Sequence, residues 1–494
     1  MQTRKTTIRM AGDLLVSVPD DRRLMTPYVL CEQEDWFEDE IKFLRKLVRP
    51  GMRILDIGAN YGLYTLSLAR GVGGGGRVLA VEPCAETAAC LRESLALNQF
   101  HFVTVVQAAL SNRTGKAQLQ VGANSELNSL AADAQGGGST EEVNLATLDG
   151  LAAEHVIDEV DFVKMDAEGE EERIIRGGMR FFQTQNPLVM YEIKSGDKVN
   201  IELIRAFAEL GFTSFRLIPG LDMLVPYDTR GKPEPYQLNL FCCKKDRAAN
   251  LALHGALVEA VGPQNAANGS QNWWRDDLAC RSFARGMQEG WRVTQRFPLP
   301  DSETYDSILA FYGASRDISR RASDRWAALR AAFEKSRHLA DGETDPYRLS
   351  TCARIARECG ERHVAVTLLR KAIQCVMPKD PGPAREAFLP AGAHFDEIDP
   401  EGRFWAWLLA SLLDQAIALS SFSTYFAQPD LLQSLELLKS TGFHSPEMER
   451  RRQLLRMRAR LQPGAEPDAC LIKYHEGNRN PEFWQDRTPF QASA

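Results

Sequence analysis

Ile54-Leu55-Asp56-Ile57-Gly58-Ala59-Asn60-Tyr61-Gly62-Leu63-Tyr64-Thr65 reads as a short apolar strand, a tight turn and the first turn of a helix. That order puts the turn at the carboxyl edge of a sheet, where open α/β folds bind their ligands. Gly58 and Gly62 allow close backbone approach, Asn60 tolerates a left-handed conformation between them, and the helix start leaves N–H groups unpaired. Working outward, apolar runs alternate with helical stretches from Arg53 to Lys244: RILDI, RVLAV, FVTVV, VDFVKM, PLVMYEI, SFRLI and LNLFCC. The pattern predicts a seven-stranded, Rossmann-like α/β domain, its largely parallel sheet covered on both faces by helices.

Residues 1–50 form a lead-in that ends in a helix expected over Asp35–Val48, with Trp36, Phe37, Ile41, Leu44 and Val48 at helical spacing. Pro50-Gly51 stops it. The α/β domain is expected over 51–247. After Asp246 the strand signal ends, the polar stretch Gly262–Asn268 reads as a linker, and 263–494 reads as an all-α, repeat-like interaction domain. Within it, Asp345–Pro378 reads as a helix-turn-helix with Gly360 in the turn and small residues at Ala353, Ala365 and Ala372. This spacing resembles a single tetratricopeptide repeat, without a second copy.

The ligand is suggested by what surrounds the glycines. The pattern is Asp-x-Gly-x-Asn-x-Gly rather than GxGxxG, and Asp56 would repel a pyrophosphate but could hold an amine-bearing ligand. The second strand ends in Glu82-Pro83, where a carboxylate can take both ribose hydroxyls. Together these favour S-adenosylmethionine over a nicotinamide cofactor and disfavour a dehydrogenase; the plain alternative is that Asp56 and Glu82 merely cap strand ends.

A second chemical centre is Lys164-Met165-Asp166-Ala167-Glu168-Gly169-Glu170-Glu171. The strand Val160–Met165 delivers Asp166 and Glu168 to the same sheet edge, and Glu192 ends another strand. Methyl transfer to a hydroxyl needs positioning and removal of the acceptor proton. Asp166 is the preferred base or acceptor-orienting residue, with Glu168 and Glu192 as rivals. Glu171 and Glu172 read as the acidic first turn of a helix. Three carboxylates raise a divalent metal, which is not favoured because no further ligand pattern accompanies them.

In these motifs the chain resembles the FkbM-type methyltransferases of the class I S-adenosylmethionine-dependent superfamily. The resemblance runs from about Pro50 to Phe215. Its landmarks are Leu55 to Gly62, Val81-Glu82-Pro83, Ala109-Leu110-Ser111 with Gly115, Asn128-Ser129-Leu130, Thr147-Leu148-Asp149 and Asp161 to Gly169. It implies that Asp56, Gly58, Ala59, Asn60 and Gly62 surround the methionine part of the cofactor, that Glu82 binds the ribose, and that Ala109 lies beside the adenine. Thr65 and Pro83 complete that set. The activity implied is methylation of a hydroxyl on a sugar, glycan or secondary metabolite. A scaffold that recruits protein partners through its C-terminal helices, with an incidental or regulatory cofactor site, is the alternative.

Composition sets the remaining bounds. With 494 residues, 44% hydrophobic and 25% charged, the chain is ordinary and globular, with room for two or three domains. A formal charge of -7 argues against a nucleic-acid partner. The first residues lack the apolar core of a secretory signal, Phe404–Leu419 is too short to span a membrane, and the ten cysteines lack CxxC spacing. A cytoplasmic protein with reduced thiols is expected. The run Arg450-Arg451-Arg452, with Arg456, Arg458 and Arg460, reads as a solvated helix face.

Overall fold

The computed structural model describes residues 4–122, 129–130, 139–155, 159–195, 198–259, 273–427 and 431–458. All seven apolar runs form strands of one sheet, and an eighth joins them. The strands are β1 (Arg53–Ile57), β2 (Arg77–Val81), β3 (Val103–Val106), β4 (Phe162–Met165), β5 (Leu188–Glu192), β6 (Thr213–Ile218), β7 (Met223–Pro226) and β8 (Asn239–Cys243). Their order is β7-β6-β8-β5-β4-β1-β2-β3. Strands β3, β2, β1, β4 and β5 are parallel, β8 runs antiparallel to β5 and β6, and β7 closes a hairpin with β6. The central strands are buried on both faces, which is why they read as continuous apolar runs.

The count of seven is therefore corrected to eight. The added strand is a joint: Ile218, Met223 and Val225 of the β6–β7 hairpin share one core with Ile308, Leu329 and Ile355 of the helical region. At the hairpin turn, Gly220 N–H donates to the Glu358 carbonyl at 2.9 Å, and a Cβ on Gly220 would fall 2.4 Å from Cβ of Glu358. Arg216 pairs with Glu361 at 3.1 Å beside it. A fully apolar face on β7 makes sense only once these helices cover it.

Beyond β8, all regular elements among the described residues are helices. The expected helix-turn-helix forms as Pro346–Glu358 and Arg362–Val376, with Asp345 capping the first helix through Tyr347 and Arg348 N–H groups and Gly360 at φ +79° between them. Neighbouring helices Ser302–Arg316 with Ala322–Ala340, and Phe404–Ser420 with Leu431–Thr441, follow the same adjacent-pair pattern. The polar stretch at 262–268 and Arg460 lie outside the described residues.

The lead-in differs from expectation. A hairpin, Lys5–Met10 with Leu14–Pro19, packs beside helix Ala85–Leu97, where Ser94 and Asn98 accept from Ser17 and Leu15 N–H groups. Two helices follow, Met25–Gln33 and Asp39–Leu47, so the second begins four residues later than the pattern suggested. The missing turn is pinned by Asp35, which accepts two bonds of 2.7 Å from Arg45 and one from its neighbour Trp36 N–H.

The arginine run is also corrected. Arg450, Arg451 and Arg452 are 6%, 2% and 6% exposed, not solvated. Each has a carboxylate: Arg450 pairs with Glu34, Arg451 with Glu447 and Glu32, and Arg452 with Glu449 and Glu436. Glu32, on helix Met25–Gln33, also accepts from Thr424 N–H and its hydroxyl, while Tyr28 bonds Thr424 at 2.9 Å. The N-terminal helix is thus clamped from the far end of the chain.

Candidate active site

The cavity at the carboxyl ends of β1, β2 and β4 is lined by Gly58, Ala59, Asn60, Glu82, Pro83 and Ala109 from the expected cofactor set, and by Asp166 and Glu168 from the expected catalytic set. Asp56, Gly62 and Thr65 stand behind that wall. After β1 the chain turns sharply: the N–H groups of Gly58 and Ala59 both donate to the Val81 carbonyl of β2 at 3.0 Å. Gly58 has φ +74°, and a Cβ there would fall 1.7 Å from the Asp166 carbonyl oxygen. Only glycine lets the turns after β1 and β4 lie against each other. Gly62 starts the next helix at φ +89° and packs on Leu91.

Strand register decides where the charges go. Lys164 lies directly opposite Asp56 in the β4–β1 ladder, so both side chains leave the same face. The Lys164 ammonium lies 3.0 Å from Asp166 Oδ2, 3.2 Å from the Gly58 carbonyl and 3.9 Å from Asp56 Oδ1. Burial opposes its charge, but Asp166 and Asp56 outweigh that and hold its pKa above the ordinary lysine value. Asp56 itself is completely buried and accepts from the Thr65 hydroxyl at 2.5 Å. Burial raises its pKa, against the opposing pull of Lys164 and Thr65. Lys164 belongs to the cavity wall; the sequence motif carries it without a role, although a lysine inside an otherwise apolar strand is a visible signal.

Glu82 is 5% exposed, and its two oxygens accept from Asn60 N–H and Cys84 N–H, each at 2.9 Å. Burial raises its pKa to about 7 in spite of these bonds. Each oxygen keeps lone-pair capacity for a ribose hydroxyl. Beside it, Val81, Leu110 and Leu119 make an apolar wall fit for an adenine. Leu119 comes from a small sheet formed by Ala109–Leu110, Gly115–Val121, Ser129–Leu130 and Ser139–Ala146, and nothing in the local sequence marks it. A glycine cradle, a buried carboxylate and a flat apolar wall suit S-adenosylmethionine.

After β4 and β5, Asp166, Glu168 and Glu192 each bring one carboxylate oxygen within 4.8 Å of the others. This donor set can share a proton or hold a divalent cation. Glu192 is not part of the cavity wall itself. Burial first, and repulsion from Asp166 and Glu168 next, push its pKa up to about 10. Glu171 accepts from the N–H groups of Ala167 and Gly169, and Glu172 pairs with Arg176, so both serve the turn and helix. Other landmarks are structural too: Thr147 caps its helix through Gly150 N–H, and Asp149 accepts from Arg180 and Phe181 N–H groups. Asn128 lies outside the described residues.

The remaining wall comes from the lead-in. Trp36 and Glu38 reach the cavity from the unwound turn before helix Asp39–Leu47. Glu38 accepts from the Tyr64 hydroxyl and from Asn239 Nδ2 at 3.3 Å, and burial raises its pKa. Lys164 sits 5.2 Å from the centre of the Tyr64 ring. No short-range motif announces Glu38; only the tertiary fold brings it to the site.

The nine described cysteines are all free of disulfides, and no described helix is long and apolar enough to cross a membrane. Residues 56–214 match the family model described as a methyltransferase FkbM domain. No curated protein matches the chain. Among solved structures, a methyltransferase FkbM from Methylobacillus flagellatus KT is 16% identical, covering 41% of this chain and 50% of that one, with TM-score 0.28. An O-methyltransferase from Bacillus cereus in complex with S-adenosylhomocysteine is 17% identical over 42% of this chain and 80% of that one, with TM-score 0.25. A SAM-dependent methyltransferase from Aquifex aeolicus is 16% identical over 44% and 91%, with TM-score 0.26.

Proposed function

We propose that this chain, which carries a methyltransferase FkbM domain over residues 56–214, transfers a methyl group from S-adenosylmethionine to a hydroxyl on a sugar, glycan or secondary metabolite. The observation that carries the reading is a single cavity whose wall brings together Glu82, the Gly58 cradle and Asp166. The cofactor would supply an electrophilic methyl group. Glu82 would take the ribose, and the Gly58–Asn60 turn would hold the amino-acid part. Asp56 would act through Lys164 and Thr65 rather than by direct contact. Asp166 would orient the acceptor hydroxyl and receive its proton, with Lys164 stabilising the carboxylate that does so. Glu168 lies at the mouth of the same cluster as an auxiliary carboxylate, and Glu192, protonated near neutrality, would be its neutral hydrogen-bonding member.

Glu82 makes the cofactor half testable without an acceptor. Its pKa of about 7 means that the ionised form, which accepts hydroxyl bonds best, is lost as the pH falls through that value. Affinity for S-adenosylhomocysteine should be highest above pH 7, and linkage makes it about tenfold weaker at pH 6 than at pH 8. Calorimetry at both pH values should show this slope in the wild type. Glu82→Gln should bind more weakly and without the slope. No binding by the wild type, or a Gln variant that binds as tightly with the same slope, would remove the assignment.

A further inference from the structure

A second cavity, of about 260 Å³, opens between the lead-in, the α/β domain and the helical region. Glu38 belongs to the wall of both cavities, so the second adjoins the acceptor side of the first. Aromatic rings also run from one to the other. Trp36, in the first wall, lies tilted against Phe37 at 4.4 Å between centroids; Phe37 meets Phe422 at 5.0 Å, and Phe422 meets Tyr236 at 6.0 Å. The Arg362 guanidinium lies 4.2 Å from the Phe422 ring centre and 4.7 Å from that of Tyr236. It is fixed there by the carbonyls of Leu419 and Ala418.

The charges of this wall nearly cancel. Five carboxyl groups face four cationic side chains. Glu40 is one of the five, and burial with the neighbouring Glu38 and Asp39 pushes it up to about 8, which leaves it mostly uncharged at neutral pH. Several charges are already matched, Arg357 with Asp39 and Arg451 with Glu447, each at 3.0 Å. Such a wall gives no net attraction to a polyanion or polycation. It does offer charge-assisted hydrogen bonds to hydroxyls and ring surfaces to C–H faces. Arg451, 2% exposed, keeps Nη1 without a hydrogen-bond partner.

We propose that this cavity is a second acceptor subsite, built by the lead-in and the helical region together, which holds the distal part of a neutral, hydroxyl-rich, saccharide-like acceptor. The reacting hydroxyl reaches the first cavity past Glu38. The inference rests on the methyltransferase reading for its purpose but not for its binding test. The full chain, with and without S-adenosylhomocysteine, is applied to an array of neutral, sulfated and sialylated oligosaccharides of one to four units. The expected result is retention of neutral oligosaccharides of two units or more. Tyr236→Ala and Arg362→Ala should each weaken it at least tenfold, and Tyr236→Phe should restore it, while S-adenosylhomocysteine affinity stays within twofold throughout. Binding to no neutral saccharide, preference for the acidic ones, or unchanged retention by both alanine variants overturns the proposal. Loss of S-adenosylhomocysteine binding by the wild type would instead sink the methyltransferase reading, and the array without cofactor would still judge the cavity.

Discussion

Asp166→Asn is expected to lower turnover by about 10²–10⁴, the usual contribution of a positioned general base, while S-adenosylhomocysteine affinity stays within a few-fold of wild type. The variant should fold, because Lys164 keeps Asp56 and the Gly58 carbonyl as partners. What is lost is the carboxyl oxygen proposed to receive the acceptor proton. Glu192→Gln provides the contrast. With a pKa of about 10, Glu192 is already neutral at pH 7, and glutamine copies a neutral carboxyl in shape and hydrogen bonding. Its turnover should stay within about threefold of wild type, because burial and repulsion already keep the proton on it. Both are read by following S-adenosylhomocysteine release at saturating acceptor. Normal turnover in Asp166→Asn would pass the role to Glu168 or Glu192, and equal losses in both variants would make Glu192 the proton carrier.

The largest stability effect is expected at Glu32, far from any chemistry. Its side chain is fully buried, accepts from Thr424 N–H and hydroxyl, and lies 3.6 Å from Arg451. Glu32→Ala would leave a buried arginine short of charge and the Thr424 N–H without an acceptor, while the Thr424 hydroxyl keeps Tyr28 as a partner. Removal of one partner from a buried pair costs about 3–5 kcal/mol, so the urea midpoint should fall clearly. Glu32→Gln, which keeps an acceptor oxygen for Thr424, should fall less. An unchanged midpoint in the alanine variant would show that the clamp contributes nothing to stability.

The sheet was readable because its central strands are buried on both faces, and apolar runs such as VDFVKM declare that directly. β7 was not, because a run of only four residues, MLVP, gives little pattern to read, and its apolar face is covered by helices distant in sequence, such as that of Ile308. The cofactor side was legible for a related reason: the Gly58 turn and Glu82 follow adjacent strands at short range. Lys164 was in plain view but its partner was not, since pairing with Asp56 depends on the β4–β1 register. The arginine run misled because amphipathic spacing cannot tell water from a wall of glutamates. Glu38 and the second cavity depend wholly on long-range packing.

The clamp on the N-terminal helix has a consequence for folding. Glu32 and Thr424 lie 392 positions apart, and Arg450 donates to the Glu32 carbonyl across 418. Contacts of such separation are slow to form, because the loop they close must be ordered before they reward it. Trp36 and Glu38 stand just beyond that helix, so their places in the wall of the first cavity are locked when the clamp closes. The turns that carry Gly58, Glu82 and Asp166 belong to adjoining strands, whereas the placement of Trp36 and Glu38 in the same wall depends on residues 392 and 418 positions beyond Glu32 of the helix that precedes them.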